Sequence, residues 1–156
     1  FTNLFPNDPP TFVVMEARAA DCLYQGALAG DGQPRIVEGD LKTIMAGLAC
    51  GEPNILSWDI LRNHVSAFVS CPDWVSARGM RMLGMPVKGD PSVVSGESGA
   101  VGMGLISAIM EDDTYRDLRE HLELDRFSQV LLFSTEGNTD PMKFRKVLWD
   151  GEYPTV

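Results

Sequence analysis

The chain has 156 residues, 44% hydrophobic and 22% charged, with a net charge of −9. That is enough for one compact domain with a sizeable core and argues against two large ones. The acidity disfavours nucleic acid and anionic membrane surfaces as partners, and no apolar run of about 18 residues offers a membrane span. Cys22, Cys50 and Cys71 are too few and too widely spaced for a disulfide framework or a zinc motif. A reducing, cytoplasmic setting is therefore expected, with export not indicated.

Residues 1–10 hold three prolines and no periodicity, so they read as a linker or the tail of an upstream segment; residues 11–156 read as the folded part. Thr11 to Met15 is a β-rich run suited to a buried strand. Ala19 to Ala29 has helical spacing, and Gly30-Asp31-Gly32 stops it. Arg35-Ile36-Val37 is a short strand candidate, and Leu41 to Ala49 a short helix. Pro53 opens the next helix, with Ile55, Trp58, Ile60 and Leu61 on one broad face. Ala67-Phe68-Val69 is strand-like, and Asp73 is placed to cap the helix that follows.

Val93-Val94 then leads into Ser95-Gly96-Glu97-Ser98-Gly99, from which a long apolar helix runs to Met110. A strand, a glycine-rich turn and a helix start make a ready seat for an anionic group. An acidic helix follows around Thr114 to His121. Ser128 to Phe133 is a strong strand candidate, Ser134-Thr135-Glu136-Gly137-Asn138 a turn, and Pro141 starts a last helix. Alternation of this kind points to α/β architecture, a mostly parallel sheet with helices on both faces. In such sheets ligands sit in the turns beyond the strand ends, where 95–99 and 134–138 both lie.

The residues exclude several chemistries. Gly96, Gly99, Gly102 and Gly104 do not follow the dinucleotide order, and no Gly-Lys-Ser/Thr forms a P-loop. Gly96-Glu97-Ser98-Gly99-Ala100 falls one residue short of the hydrolase elbow. The two histidines, His64 and His121, stand on polar helix faces and share no metal spacing. Ser98 reads as a helix cap and Ser134 as a turn residue. Pattern alone stops at an α/β domain with a ligand on one edge of its sheet.

Longer blocks go further. GDLKTIMAGLACGEPN, ILSWDILRNHVSAFVSCPDWVSARGMRML, VKGDP, VVSGESGAVGMG and LLFSTEGNTDPMKF, between Glu38 and Lys146, together resemble the C-terminal part of the diaminopropionate ammonia-lyase family. More distantly they resemble the pyridoxal-phosphate enzymes that include serine and threonine dehydratases, serine racemase and cysteine synthase. The resemblance implies the back half of the large domain of a tryptophan-synthase-β-like fold, with pyridoxal 5'-phosphate held between two α/β domains. It implies α,β-elimination of 2,3-diaminopropionate, a small amino-acid substrate, to pyruvate and ammonia by a cytoplasmic homodimer.

By the same resemblance, Gly47 passes close to the cofactor ring, and Glu97, Ser98 and Gly99 face the cofactor. Either Ser134 or Thr135 gives the ring nitrogen a neutral hydroxyl, which leaves that nitrogen largely unprotonated. The family's Schiff-base lysine, phosphate loop and catalytic acids belong upstream, so no catalytic residue is assigned here and the upstream half of the enzyme is an implied partner. Some relatives bind a divalent cation through a glutamate, a carbonyl and an aspartate. Glu16 and Ala20 match the first two, but Cys22 stands third, and a thiol is a poor ligand for hard cations. No metal is expected. Two other readings remain open: a serine or threonine dehydratase-like enzyme, and a non-catalytic module that kept the fold.

Overall fold

The computed structural model describes residues 3–155. Its sheet among those residues has two parallel strands, β1 (Val13–Ala17) and β2 (Ala67–Cys71), in the register Val13 to Ala67 through Ala17 to Cys71. Parallel strands need a long crossover, and here it holds α1 (Cys22–Ala29) and α2 (Ile55–His64). Gly30 ends α1 in the left-handed conformation at φ 68°, as its position after the last periodic residue led one to expect. Then follow α3 (Asp73–Gly84), α4 (Glu97–Glu111), α5 (Arg116–His121) and α6 (Pro141–Leu148). The α/β class stands.

Helices α3 and α4 form the centre of the molecule. Their backbones meet at two glycines: a Cβ on Gly79 would collide with the Ala100 carbonyl, and one on Gly104 with the Val75 carbonyl. Met80, Val101, Leu105 and Ile109 fill the space around that crossing, and Val147 of α6 closes one side. Arg81 ties the C-terminal segment to α3 by donating to the carbonyls of Val147, Glu152 and Tyr153. The start of α4 is thereby held on a rigid base.

Several expected elements differ. Arg35-Ile36-Val37 is no strand; the Val37 amide donates to the Gly51 carbonyl instead. Ser128 to Phe133 runs without ladder partners, and Val130, Leu131 and Phe133 are 48%, 66% and 68% exposed. An apolar run becomes a strand only where a neighbouring edge accepts its backbone groups, and the described residues offer none there. Leu41 to Ala49 is a loop with one 3-10 turn at Ala46–Leu48. Its ladder is lost because the Asp73 carboxylate takes the Thr43 hydroxyl and the Ile44 amide. Asp73 is accordingly the first residue of α3, not its cap.

On α2 Trp58 is buried and Leu61 half-buried. The Trp58 indole N–H donates to the Gly32 carbonyl at 3.0 Å, and the ring lies where a Cβ on Gly26 would come within 2.8 Å. Of the broad apolar face expected for this helix, Trp58 and Leu61 point inward while Ile55 and Ile60 are exposed. Among the described residues no helix is long and apolar enough to cross a membrane.

Candidate functional site

Two glycine-rich turns that are far apart in sequence meet at the start of α4. Gly96, in extended backbone, precedes the helix, and its amide donates to the Glu136 carbonyl at 3.1 Å. The Ser98 amide donates to the Glu136 carboxylate in a short hydrogen bond. A helix start leaves its first amides free and carries a partial positive charge. Glu136 supplies an acceptor and a compensating charge. The seat that the sequence offered to an anionic ligand is thus filled by a side chain of the protein itself.

Ser98 does not cap the helix. It lies inside the first turn and is almost fully buried, and its hydroxyl accepts from the Gly47 amide at 3.0 Å. The cap expected of Ser98 would require it to precede the helix, and Gly96 holds that place. Gly47 sits in the 3-10 turn at Ala46–Leu48 and approaches Ser98 closely; a Cβ there would come 3.0 Å from the Ser98 oxygen.

Gly99 opens the other side of the same turn. A Cβ on it would come 2.8 Å from the Ser95 hydroxyl, 3.2 Å from the Ser134 hydroxyl and 3.2 Å from the Thr135 amide. Ser95 is buried, and Ser134 donates to it at 2.8 Å while keeping an exposed face. The result is a glycine floor with two linked neutral hydroxyls at its edge. Thr135 borders the floor with its backbone amide.

Glu97 points elsewhere, into a cavity of about 540 Å³ between the starts of α3, α4 and α6. Thr43, Asp73, Glu136, Asp140 and Lys143 also line it. Glu97 is only 7% exposed. Burial raises its carboxyl pKa above the ordinary value, with a further rise from the charges of Glu136 and Asp140, opposed by its own amide and Lys143. The Ser76 hydroxyl, from α3, donates to the Glu97 carbonyl and fixes this turn against the helix beneath.

All six sequence-derived residues, Gly47, Glu97, Ser98, Gly99, Ser134 and Thr135, thus gather around the first turn of α4. Ser95, Glu136, Asp73 and Asp140 were not singled out as site residues. Glu136 stood in a recognised turn, but nothing in the sequence named its partner 38 positions away.

The triad Glu16, Ala20 and Cys22 is arranged differently. Glu16 accepts the amides of Leu23 and Tyr24 at 3.0 and 2.7 Å and the Cys22 thiol at 3.6 Å. Cys22 also lies 3.4 Å from the Cys50 carbonyl. Burial first, and the Glu16 charge next, push the Cys22 thiol up to about 11, so the sulfur keeps its proton. No three His, Cys, Asp or Glu side chains among the described residues are grouped to hold a metal ion. All three cysteines are free, and only Cys50 is exposed.

No family model matches the chain. By sequence it is similar to the diaminopropionate ammonia-lyase of Salmonella typhimurium (strain LT2), 47% identical over 152 residues, covering 97% of this chain and 38% of that protein. In structure it is similar to Escherichia coli diaminopropionate ammonia-lyase in complex with an aminoacrylate-PLP azomethine reaction intermediate. There the TM-score is 0.79 and the identity 46%, over 90% of this chain and 35% of the other. Maize serine racemase, 21% identical with a TM-score of 0.67 over 96% of this chain and 42% of its own, shares the fold. The match falls on the C-terminal part of the lyases, and the chain spans little more than a third of their length.

Proposed function

This chain is a relative of the C-terminal part of diaminopropionate ammonia-lyase, and from that premise we propose that it serves the α,β-elimination of 2,3-diaminopropionate to pyruvate and ammonia. Pyridoxal phosphate, when bound, draws electrons from the amino-acid carbon into its ring and so loosens the bonds that must break. The observation that carries the reading is the floor at Gly99 with the Ser95–Ser134 hydroxyl pair.

The residues present suit the ring of that cofactor and not its phosphate. Flat groups approach where no side chain stands, and Gly47 and Gly99 supply two such places. The Ser134 hydroxyl carries one proton, now given to Ser95, and can turn it toward a pyridine nitrogen. Being neutral, it satisfies that nitrogen without fixing a charge on it. A phosphate has no seat here, because Glu136 occupies the free amide of α4 and Glu97 and Asp140 add negative charge. It belongs to residues upstream, as does the lysine that would hold the cofactor.

In this chain Ser134 therefore orients the ring, Gly47 and Gly99 leave room for it, and Ser98 keeps the Gly47 segment against α4. Residues 11–156 form the C-terminal part of the lyase domain, and 1–10 lead into it from upstream. The upstream part completes the site, and the whole acts as a cytoplasmic homodimer. The exposed apolar side chains Phe127, Val130, Leu131 and Phe133 support a covering partner, and the free cysteines support a reducing setting.

The test is a titration of the complete enzyme with pyridoxal phosphate, followed by absorbance. Ser134→Ala weakens cofactor affinity by an amount set by one unpaired buried acceptor, about 1–3 kcal/mol, and lowers pyruvate formation. Thr135→Val leaves both close to the parent. The opposite order would move the ring-nitrogen contact to Thr135, and silence of both variants would refute the reading.

A further inference from the structure

The hydroxyl pair at the glycine floor holds two protons, and the bond between its two oxygens uses only one of them. Ser95 is 1% exposed, and among the described residues its hydroxyl meets no partner but Ser134, at 2.8 Å. When Ser134 donates, the Ser95 proton has no acceptor in the chain. A buried hydroxyl that cannot donate forfeits a hydrogen bond it made in water. When Ser95 donates instead, its proton is satisfied and the spare one belongs to Ser134, on the exposed side of the pair. Hydroxyl protons rotate to suit their partners, so the second direction wins wherever an acceptor stands outside.

Within the chain that acceptor is poor. The Glu136 carbonyl lies 3.4 Å from the Ser134 oxygen and already takes the Gly96 amide at 3.1 Å. The same backbone bond holds the two hydroxyls face to face, because Ser95 adjoins Gly96 and Ser134 stands two residues before Glu136. The pair also lies at the floor itself: a Cβ on Gly99 would come 2.8 Å from the Ser95 oxygen and 3.2 Å from that of Ser134.

We infer that Ser95 is a positioning residue for the ring nitrogen of pyridoxal phosphate: it donates to Ser134 and so points the Ser134 proton outward at the ring. The inference rests on the lyase reading and adds the residue that sets the direction of that contact. A hydroxyl that itself accepts a hydrogen bond is polarised and donates more strongly. The pair offers one proton outward and therefore suits a neutral ring nitrogen. A protonated nitrogen would bring a second donor and leave the Ser134 proton only the Glu136 carbonyl. Ser95 thus acts through Ser134 and tunes the ring without touching the substrate.

The experiment titrates the complete enzyme with pyridoxal phosphate and with its 1-deaza analogue, whose ring carries C–H in place of the nitrogen, and follows absorbance. The ratio of the two dissociation constants isolates the nitrogen contact, and melts of the cofactor-free protein report folding separately. The parent prefers pyridoxal phosphate about three- to tenfold, the weight of one hydrogen bond. Ser134→Ala removes that preference. Ser95→Ala cuts it at least about twofold and changes nothing further in the Ser134→Ala background. Ser95→Cys, which keeps a buried group with only a weak donor, falls between the parent and Ser95→Ala, and it supplies the same comparison if Ser95→Ala does not fold. Equal losses on both compounds, or a Ser95→Ala effect on the ratio that persists without Ser134, would overturn the inference and leave the lyase reading standing. A parent that binds both compounds equally would overturn it as well. A parent that binds neither would overturn the lyase reading together with it.

Discussion

The Gly47 amide donates to the buried Ser98 hydroxyl at 3.0 Å, joining segments 51 positions apart in the chain. One hydrogen bond thus fastens the 3-10 turn at Ala46–Leu48 to the first turn of α4. Ser98 holds a neighbour in place and attacks nothing.

Ser98→Ala therefore leaves the Gly47 amide without its partner, at a cost of about 1–3 kcal/mol. The melting temperature falls, turnover in the complete enzyme drops modestly, and an acyl-enzyme trap labels nothing. Complete loss of turnover with normal cofactor binding would make Ser98 a nucleophile.

Gly99→Val is more damaging, and for a different reason. Its side chain enters the space between Ser95, Ser134 and Thr135, all within about 3.2 Å of a Cβ at that position. Absorbance titration of the complete enzyme gives a far larger loss of cofactor affinity for Gly99→Val than for Ser98→Ala. Equal losses would remove the glycine floor from the account.

Gly104→Ala probes the base on which the site rests. The added methyl meets the Val75 carbonyl, so α3 and α4 must separate. Overpacking of this kind costs about 1–3 kcal/mol or more. A thermal melt that equals the parent's would show the helix crossing to be looser than described.

The thiols give a pH test. Burial pushes Cys71 from 9.0 up to about 12, so the folded state favours the protonated form. That stability is complete below pH 9, the unfolded thiol's range, and is lost as the pH rises toward 12. The gap in melting temperature between the parent and Cys71→Ala therefore narrows from pH 8 to pH 10.5. A gap that stays constant would contradict the burial of this thiol. At pH 8 iodoacetamide modifies the exposed Cys50 first.

Much of this was legible before any coordinates. The Gly30 stop, the helices after Pro53 and Pro72, the strand at Ala67 and the Pro141 start all depend on local chemistry, which a sequence carries openly. The failures concern partners. Ser128 to Phe133 has strand composition, yet a strand exists only with a neighbour. Leu41 to Ala49 has helical spacing, yet Asp73, some thirty positions on, captures its hydroxyl and amide. Serine before a helix suits a cap, whereas the Ser98 hydroxyl has the Gly47 amide as its partner. At the site the residue types were visible; the pairing of Glu136 with α4, which decides what charge the turn accepts, was not.

The most direct measurement exchanges this chain for the matching 152 residues of the Salmonella typhimurium relative and assays the purified chimera for pyruvate from 2,3-diaminopropionate. The account predicts turnover by the chimera, with cofactor absorbance sensitive to Ser134→Ala, and none by the isolated 156-residue chain. A folded, cofactor-loaded chimera that forms no pyruvate would contradict it.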